Sequence, residues 1–415
     1  MSVNFLSHQN LTLSRLLAGE YDQATLADIV RNSPYFDEQW YSREYPEIQY
    51  NDDGCPDAAF HYTHYGFKES RLPGLMFDGN RYSEYHQLKD VNPLLHYLAS
   101  GTPGDYRCHE REQSILVRLN DGLEITSGER ALILEQSYRN TTGRCLNLCH
   151  MPGSLSEKIL ALRTWGMDKW ESCSDLLNKS TLHATLREKY GFTEAQAPVP
   201  AAVVARASDI DDQMWMGLPE SFYMTCNGAY GTNVNVMDKK VVNRVDLIRI
   251  MADLQVRATS RQVMDKLSSS RVMEPSIIIY SHEGNLNAPV HQDVNTIGVL
   301  CLNGRTTLLI HYGSGRTINL LDPDYKLLSS VMTADNGSQH KVAQDLTRPE
   351  CLDEIKSKAE LMSKNAPCLL IEFVCRGSEF SCREVLPDLD KGTFTLSNDQ
   401  DLRLGATWDI SSWLK

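Results

Sequence analysis

The stretch LPESFYMTCNGAYGTNVNVMDKK runs from Leu218 to Lys240. Two segments rich in aromatic and β-branched residues, Ser221–Cys226 and Asn233–Met237, flank the glycine-containing segment Asn227–Gly231. This pattern predicts a hairpin made of a strand, a glycine loop and a second strand. Because glycine has no side chain, backbone N–H groups at the tip can approach a ligand closely, and successive free N–H groups suit phosphate. The same pattern is also typical of a tight turn in any sheet.

The wording of this stretch resembles the nucleotide loop of the ATP-grasp family, in particular its TupA-like branch from cell-surface polysaccharide loci. That branch usually reads LPxxFVLKxNHGSG and then DK. The matching positions are Leu218, Pro219, Phe222, Asn227, Gly231, Asp238 and Lys239. The resemblance covers about residues 170–410, and it implies that Mg-ATP binds between the two lobes of this region.

Composition limits the classes of function. A chain of 415 residues has room for two or three domains. Its formal net charge of −13 disfavours broad nucleic-acid binding, because an acidic surface repels phosphate backbones. The sequence has no apolar run of about 18 residues, so we expect no membrane span. The N-terminus does not read as a secretory signal, and eleven irregularly spaced cysteines favour reduced thiols, so we expect a cytoplasmic protein.

Residues 33–101 contain a degenerate internal repeat. The recurring pairs are Phe36-Asp37 with Tyr41 and Phe77-Asp78 with Tyr82, followed by His61-Tyr62 with Gly66 and His96-Tyr97 with Gly101. The repeat resembles the FDxxY…HYxxxG units attached to glycosyltransferases and other polysaccharide-biosynthesis proteins. Its tyrosines and histidines suit stacking on sugars, or filling a thin core between short helices. We favour the second interpretation.

Three regions follow from these patterns. We predict a helical repeat module over 1–105, a helical linker region over 106–155 and an ATP-grasp-like domain over 156–415. Strand periodicity dominates from Ile277 onward, with a strong hairpin signal at Asn303-Gly304 and an amphipathic helix over 350–364. The predicted fold class is α+β, with a two-lobed ATP-grasp-like C-terminal domain and a mainly helical N-terminal repeat module.

A ligase of this kind needs donors for the triphosphate, carboxylates for magnesium and groups that hold a carboxylate substrate. Glu372 and Glu384 lie on two predicted strands joined by a turn at Arg376-Gly377, so a hairpin puts both near one sheet face. The resemblance makes them Mg²⁺ ligands, whereas the alternative has them in solvent or paired with Arg376 and Arg383. It also implies nucleotide contacts and two arginines for phosphate or a substrate carboxylate. The nucleotide residues are Lys179, Asn227, Gly228, Gly231, Asn233, Lys239 and Glu274, and the arginines are Arg305 and Arg316.

Three positions depart from the family pattern. Thr225 and Gly298 stand where the family has phosphate-binding lysines, and Leu370 replaces an arginine before the metal carboxylate. Loss of these cations removes part of the electrostatic stabilisation that phosphoryl transfer requires.

With these departures, the resemblance implies an ATP-dependent carboxylate–amine ligase of surface-polysaccharide biosynthesis, acting through an acyl phosphate. Its substrates would be a saccharide carboxylate and an amine, and glycosyltransferases would be its partners. The alternatives are a kinase-like relative that uses the same cleft and a non-catalytic scaffold of a polysaccharide locus.

Another class of enzyme provides a further alternative. His291, Asp293, His340 and Arg348 imitate the HxD…H…R pattern of Fe(II)/2-oxoglutarate oxygenases. In those enzymes two histidines and a carboxylate hold the iron. The residues after His340 predict a helix where a jelly roll needs strands, so we rank this hypothesis below the ligase.

Overall fold

The computed structural model describes residues 8–48, 57–101, 104–146, 148, 150–227, 233–265, 275–288, 294–313, 317–328, 346–389 and 396–414. Tertiary contacts divide the chain into two compact units. The first comprises Met1–Gly166 and Asp401–Lys415, and the second comprises Met167–Gln400. No helix in the described ranges combines the length and the apolar composition that crossing a bilayer requires.

The first unit is built from helices in the ranges described. They are α1 (Leu13–Leu17), α2 (Gln23–Asn32), α3 (Glu38–Glu44), α4 (Ala58–His61), α5 (Gly79–His86), α6 (Pro93–Ser100), α7 (Glu112–Asn120), α8 (Ser127–Thr142) and α9 (Leu155–Trp165). A short polar side chain accepts a first-turn N–H at the start of α2 to α6, which fixes where each helix begins. These caps are Asp22, Asp37, Asp57, Asp78 and Asn92.

The two similar stretches of this unit make equivalent contacts. The Tyr41 hydroxyl lies 2.9 Å from Nδ1 of His61, and the Tyr82 hydroxyl lies 2.8 Å from Nδ1 of His96. Both tyrosine side chains are fully buried. These residues therefore fill a thin core between short helices, as we favoured from the sequence. The likeness to glycosyltransferase-associated repeats stays a prediction.

The C-terminal segment belongs to the first unit, and the predicted boundaries at 105 and 155 stay predictions. Asp401 accepts hydrogen bonds from the backbone N–H and the hydroxyl of Ser156, each at 2.8 Å. The Lys158 ammonium donates to the carbonyl oxygen of Gly405 at 2.7 Å. These contacts attach the C-terminal segment to α9 in the first unit, and the predicted linker region contributes α7 and α8 to the same unit.

The second unit combines helices with two antiparallel sheets. Its helices are α10 (Ser174–Leu177), α11 (Lys179–Tyr190), α12 (Asp212–Gly217), α13 (Arg244–Asp265) and α14 (Leu352–Ser363), and α15 (Asn398–Ala406) crosses into the first unit. Its strands are β1 (Ala202–Val204), β2 (Phe222–Cys226), β3 (Asn233–Val236), β4 (Ile277–Ser281), β5 (Asn295–Leu302), β6 (Arg305–Gly313), β7 (Thr317–Leu321), β8 (Cys368–Arg376) and β9 (Glu379–Leu386). The sheet orders are β1-β4-β2-β3 and β7-β6-β5-β8-β9. This mixture of helix and sheet agrees with the predicted class.

Three predicted hairpins are confirmed by strand pairing. β2 pairs with β3, although the glycine tip between them, 228–232, lies outside the described residues. β5 pairs with β6 through Asn303 and Gly304, whose φ angles of +50° and +75° suit a two-residue hairpin loop. β8 pairs with β9 through a turn that contains Gly377 at φ +60°.

The four-stranded sheet has one face against α13 and another toward a cleft. Phe222 and Met224 of β2 pack into an apolar cluster with Leu247 and Met251 of α13. Successive strand residues point to opposite sheet faces. Tyr223 and the residues that alternate with it therefore lie on the face that lines the cleft.

Candidate functional site

The centre of the candidate site is a pair of carboxylates on the five-stranded sheet. Glu372 of β8 stands directly opposite Glu384 of β9 in the strand register. Side chains that face each other across antiparallel strands have Cβ atoms about 5 Å apart. Burial and the neighbouring Glu384 carboxylate raise the pKa of Glu372, while Arg383, Tyr312 and Lys179 act in the opposite direction. The two acidic groups therefore share a partly dehydrated space in which a cation is favourable.

A lysine from the neighbouring helix meets this pair. The Lys179 ammonium lies 3.1 Å from Oε1 of Glu384, and only 15% and 12% of the two side chains are exposed. Lys179 is the first residue of α11, which Asn178 caps through the N–H of Ser180. The Asn227 carboxamide donates to Oδ1 of Asn178 at 2.9 Å. Asn227, at the end of β2, thus fixes the start of the helix that carries Lys179.

The Tyr312 ring lies beside Gly298, on the strand next to the acidic pair. Gly298 of β5 lies between Ile310 of β6 and Glu372 of β8 in the register. A Cβ atom on Gly298 would lie 3.4 Å from the Tyr312 ring. The Tyr312 hydroxyl hydrogen-bonds with the Glu372 carboxylate, and burial together with that carboxylate raises the pKa of the phenol well above its usual range. The missing side chain at Gly298 gives Tyr312 access to Glu372.

Aromatic side chains form the opposite wall of the cleft. The rings of Tyr223 and Tyr280 stack with centroids 5.2 Å apart, and His183 meets Tyr280 edge-on at 5.3 Å. Burial lowers the pKa of His183 to about 4 and raises that of Tyr223 to about 12. His183 is therefore neutral near pH 7 and donates through Nε2 to the Cys382 carbonyl oxygen at 3.0 Å. This wall is therefore aromatic and uncharged near pH 7.

The cleft brings together some of the predicted residues. Its lining side chains come from both sheets and from α11, and they are Lys179, Leu182, His183, Tyr223, Thr225, Asn233, Tyr280, Asn287, Arg383 and Glu384. Among the predicted nucleotide residues, Lys179 and Asn233 lie in this lining. Thr225, the position of an expected lysine, also lies there and is almost fully buried.

Two predicted cations lie elsewhere. The Lys239 ammonium donates to the carbonyl oxygens of Met216 and Leu218, so it holds the segment before β2. Arg305 begins β6, seven residues from Tyr312, which corresponds to about 23 Å along a strand. The structure therefore does not bring Arg305 to the acidic pair. Gly228, Gly231, Glu274 and Arg316 lie outside the described residues.

The oxygenase pattern is mostly outside the described ranges as well. His291, Asp293 and His340 are not described. Arg348 donates to both carboxylate oxygens of Asp353, at 2.7 and 2.8 Å. Its guanidinium is therefore engaged on the surface at the start of α14.

Sequence reasoning missed three polar residues of the cleft as site residues. Arg383 lines the cleft through a bulge in β9, and Asn287 lines it from a loop after β4. Tyr312 lies beside Gly298 and interacts with Glu372. Asn287 donates from its amide nitrogen to Ser381 Oγ and the Cys382 carbonyl oxygen, both at 3.0 Å. The only sequence signal for Tyr312 was the glycine at 298, because a vacant position in a strand admits a neighbouring side chain.

The candidate metal ligands of this site are carboxylates. In the part of the chain that the structure describes, no group of three or more histidine, cysteine or acidic residues converges. Magnesium is often held by one or two carboxylates together with substrate phosphates and water. Glu372 and Glu384 meet that requirement, because both offer oxygen atoms on one sheet face beside Lys179. The residues therefore fit a magnesium ion that is shared with a phosphate-bearing ligand.

No family model matches the chain, and no curated protein matches it in sequence. Similar solved structures are ATP-grasp ligases. The ligase PsnB with a minimal precursor has 10% identity, covers 59% of both chains and gives a TM-score of 0.27. PsnB with a phosphomimetic precursor variant, Mg and ADP has 10% identity, 59% and 60% coverage and the same TM-score of 0.27.

A biotin carboxylase domain is similar at the same low level. This domain, from a thermophilic 2-oxoglutarate carboxylase bound to ADP without magnesium, has 13% identity and a TM-score of 0.24. The match covers 75% of this chain and 57% of that one. The chain thus spans about three fifths of the solved structures that it matches. TM-scores below 0.5 do not establish a shared fold, so the site stands on its own residues.

Proposed function

We propose that this chain is an ATP-dependent carboxylate–amine ligase of the ATP-grasp type. Mg²⁺ would lie on Glu372 and Glu384, and the phosphates of ATP would lie beside Lys179. The observation that carries the proposal is the direct opposition of two part-buried glutamates with a lysine 3.1 Å from one of them. Two acidic side chains that face each other across strands destabilise a fold by repulsion. A bound metal ion with its phosphate ligand would offset that repulsion.

The side chains around the acidic pair would each contribute to this reaction. Magnesium, when bound, would neutralise charge that develops on the phosphates as a phosphoryl group moves. Lys179 holds Glu384 in place and adds positive charge at the same point. Tyr312 fixes the Glu372 carboxylate by a hydrogen bond. The stacked Tyr223 and Tyr280 give the opposite wall of the cleft an aromatic surface.

The setting and substrates belong to the same proposal. The motif resemblance supports surface-polysaccharide biosynthesis, with a saccharide carboxylate as acceptor of the phosphoryl group and an amine as the attacking group. The reaction would pass through an acyl phosphate. Free thiols at the described cysteines are compatible with a reducing cytoplasm.

The test uses hydroxylamine as a surrogate amine. The full chain is incubated with Mg-ATP, hydroxylamine and a panel of uronic acids, and both ADP and hydroxamate are measured. A ligase yields ADP and hydroxamate in equal amounts, and Glu372→Gln and Glu384→Gln each abolish both. Arg348→Gln, on the surface near α14, leaves both products unchanged. A kinase-like relative yields ADP without hydroxamate, which would contradict the ligase.

Specific observations favour the non-catalytic alternative. Thr225 and Gly298 carry no charge, and the aromatic wall leaves a cavity of about 40 Å³ between the lining side chains. That space holds about three water molecules. A scaffold with a filled cleft would neither release ADP nor change its melting temperature with Mg-ATP. A rise of the melting temperature with Mg-ATP, absent with Mg²⁺ alone, excludes the scaffold.

The Fe(II)/2-oxoglutarate oxygenase remains the alternative from a different class. No observation of the described residues favours it, because Arg348 is paired with Asp353. Iron analysis of protein purified without chelator decides this alternative. One iron per chain, lost in His291→Ala, would support the oxygenase against the ligase.

A further inference from the structure

The pairing of β8 with β9 contains a bulge at the candidate site. Glu372 stands opposite Glu384, but the next residue, Phe373, stands opposite Cys382. Arg383 therefore has no partner on β8. An extra residue of this kind leaves the ladder and changes the direction of its side chain. In an unbroken strand Arg383 would lie on the sheet face opposite to Glu384, yet both residues line the cleft.

The guanidinium of Arg383 is available to a ligand. The residue is exposed, and in the ranges that the structure covers its side chain forms no ion pair or hydrogen bond. Its positive charge still acts at the site, because it partly opposes the burial that raises the pKa of Glu372, Tyr223 and Tyr312. By contrast, the neighbouring Lys179 is held by Glu384.

A nucleotide in this cleft would need more positive charge than the other lining residues supply. Glu372 and Glu384 suit a divalent cation, but a nucleotide also brings several negative charges to the same place. Thr225 and Gly298 supply no positive charge, and Lys239 is bound to two carbonyl oxygens away from the cleft lining. Arg383 is the lining cation that remains unpaired among the described residues. A planar guanidinium binds phosphate oxygens through two parallel hydrogen bonds.

We infer that Arg383 is the phosphate-binding residue of this cleft, placed there by the β8–β9 bulge in the absence of the two lysines. This inference rests on the proposed nucleotide site, because it deepens the assignment of that site. The alternative is an arginine that is merely solvated at a sheet edge. The two differ in what they predict for anions, since a solvated arginine contributes little to the affinity for a polyphosphate.

The experiment measures binding of Mg-ATP and, separately, of tripolyphosphate by isothermal titration calorimetry. The full chain is compared with Arg383→Ala, Arg383→Lys and the control Arg376→Ala, which removes an exposed arginine from the same hairpin. Circular dichroism establishes that each variant is folded. We expect Arg383→Ala to weaken both ligands at least tenfold, Arg383→Lys to restore part of the loss, and Arg376→Ala to change either by less than twofold.

The other outcomes separate this inference from the function on which it rests. ATP binding that Arg383→Ala leaves unchanged overturns the inference and leaves the nucleotide site standing. Tripolyphosphate binding that depends on Arg383, without any ATP binding, overturns the nucleotide site and supports the anion-binding role. If the wild-type chain binds neither ligand, both are overturned.

Discussion

Lys179 at the start of α11 and Glu384 in the middle of β9 form an ion pair of 3.1 Å. The pair joins a helix to the five-stranded sheet, and both side chains are mostly buried. Glu384 also faces Glu372 across the strands, so the lysine offsets part of the repulsion between two carboxylates. The charges of the cleft are therefore coupled, and single changes will have effects that differ from those of paired changes.

The first prediction concerns that coupling. Lys179→Met leaves a mostly buried Glu384 without its ammonium partner, and losing one member of a buried pair costs about 3–5 kcal/mol. Lys179→Met combined with Glu384→Gln removes the unpaired charge and recovers most of this loss. Urea unfolding of the wild type, both single variants and the double variant measures the coupling. Additive effects of the two changes would contradict the proposed ion pair.

The second prediction concerns pH. The pKa of Glu372 is raised in the folded chain above its ordinary value of 4.5, mainly by burial. A carboxyl of this kind stabilises the fold while it is protonated, and that contribution is lost as the pH rises through the folded pKa. Glu372→Gln should therefore match the wild type near pH 4 and melt at a higher temperature at pH 8.

A control comes from the same hairpin. Glu379 is an exposed residue that pairs with Arg376, and Glu379→Gln should show no stabilisation that grows with pH. Thermal melts of the three proteins from pH 4 to 8, without added metal, provide the comparison. A difference in melting temperature between Glu372→Gln and the wild type that stays constant with pH would contradict a raised pKa of Glu372.

The third prediction concerns Gly298. A Cβ atom at this position would lie 3.1 Å from Leu370 Cδ1, which is a tight contact, and 3.4 Å from Ile310 Cβ. We expect Gly298→Ala to lower the free energy of unfolding by about 1–2 kcal/mol, because overpacking shifts neighbouring groups. Gly298→Lys should cost more, since its longer chain displaces Tyr312 from Glu372.

Gly217 provides the matched control for this change. A Cβ atom there would meet no other atom within 4 Å. Gly217→Ala should leave the stability unchanged or slightly higher, since alanine favours a helix over glycine. Equal losses at Gly298 and Gly217 in denaturant unfolding would mean that packing around Tyr312 is not what excludes a side chain from 298.

The fourth prediction concerns the helical unit. Tyr41→Phe removes the hydrogen bond to His61, and Tyr82→Phe removes the equivalent bond to His96. Each change should destabilise the fold by about 1 kcal/mol, the usual net value of one hydrogen bond. The Tyr21→Phe variant, which removes hydrogen bonds to Thr12 and Asn10 at exposed positions, serves as a comparison. Unequal effects at Tyr41 and Tyr82 would show that the two stretches do not play equivalent structural roles.

Much of the fold could be predicted from short-range sequence patterns. The β-branched and aromatic residues of β2, β3 and β4 and the Asn303-Gly304 loop act over short distances, so their strands and turns were predictable. The opposition of Glu372 and Glu384 was predictable for the same reason, because a tight turn sets the register of a hairpin.

The features that could not be predicted depend on contacts between segments far apart in the sequence, or on irregular strand pairing. Nothing near Asp401 in the sequence indicates that its carboxylate binds Ser156. The bulge at Arg383 was not predictable, because regular alternation places this arginine on the other face of β9. The same limit applies to Tyr312, whose approach to Glu372 requires the register of β5, β6 and β8 at Gly298.

The central claim is that Glu372 and Glu384 hold magnesium for a nucleotide. The most direct measurement is isothermal titration of a non-hydrolysable ATP analogue, with and without Mg²⁺, on the wild type and on Glu384→Gln. We predict that the wild type binds the analogue at least tenfold more tightly with Mg²⁺, and that Glu384→Gln loses this dependence. Tight binding of the analogue with the same magnesium dependence in Glu384→Gln, or no binding by the wild type, would contradict the claim.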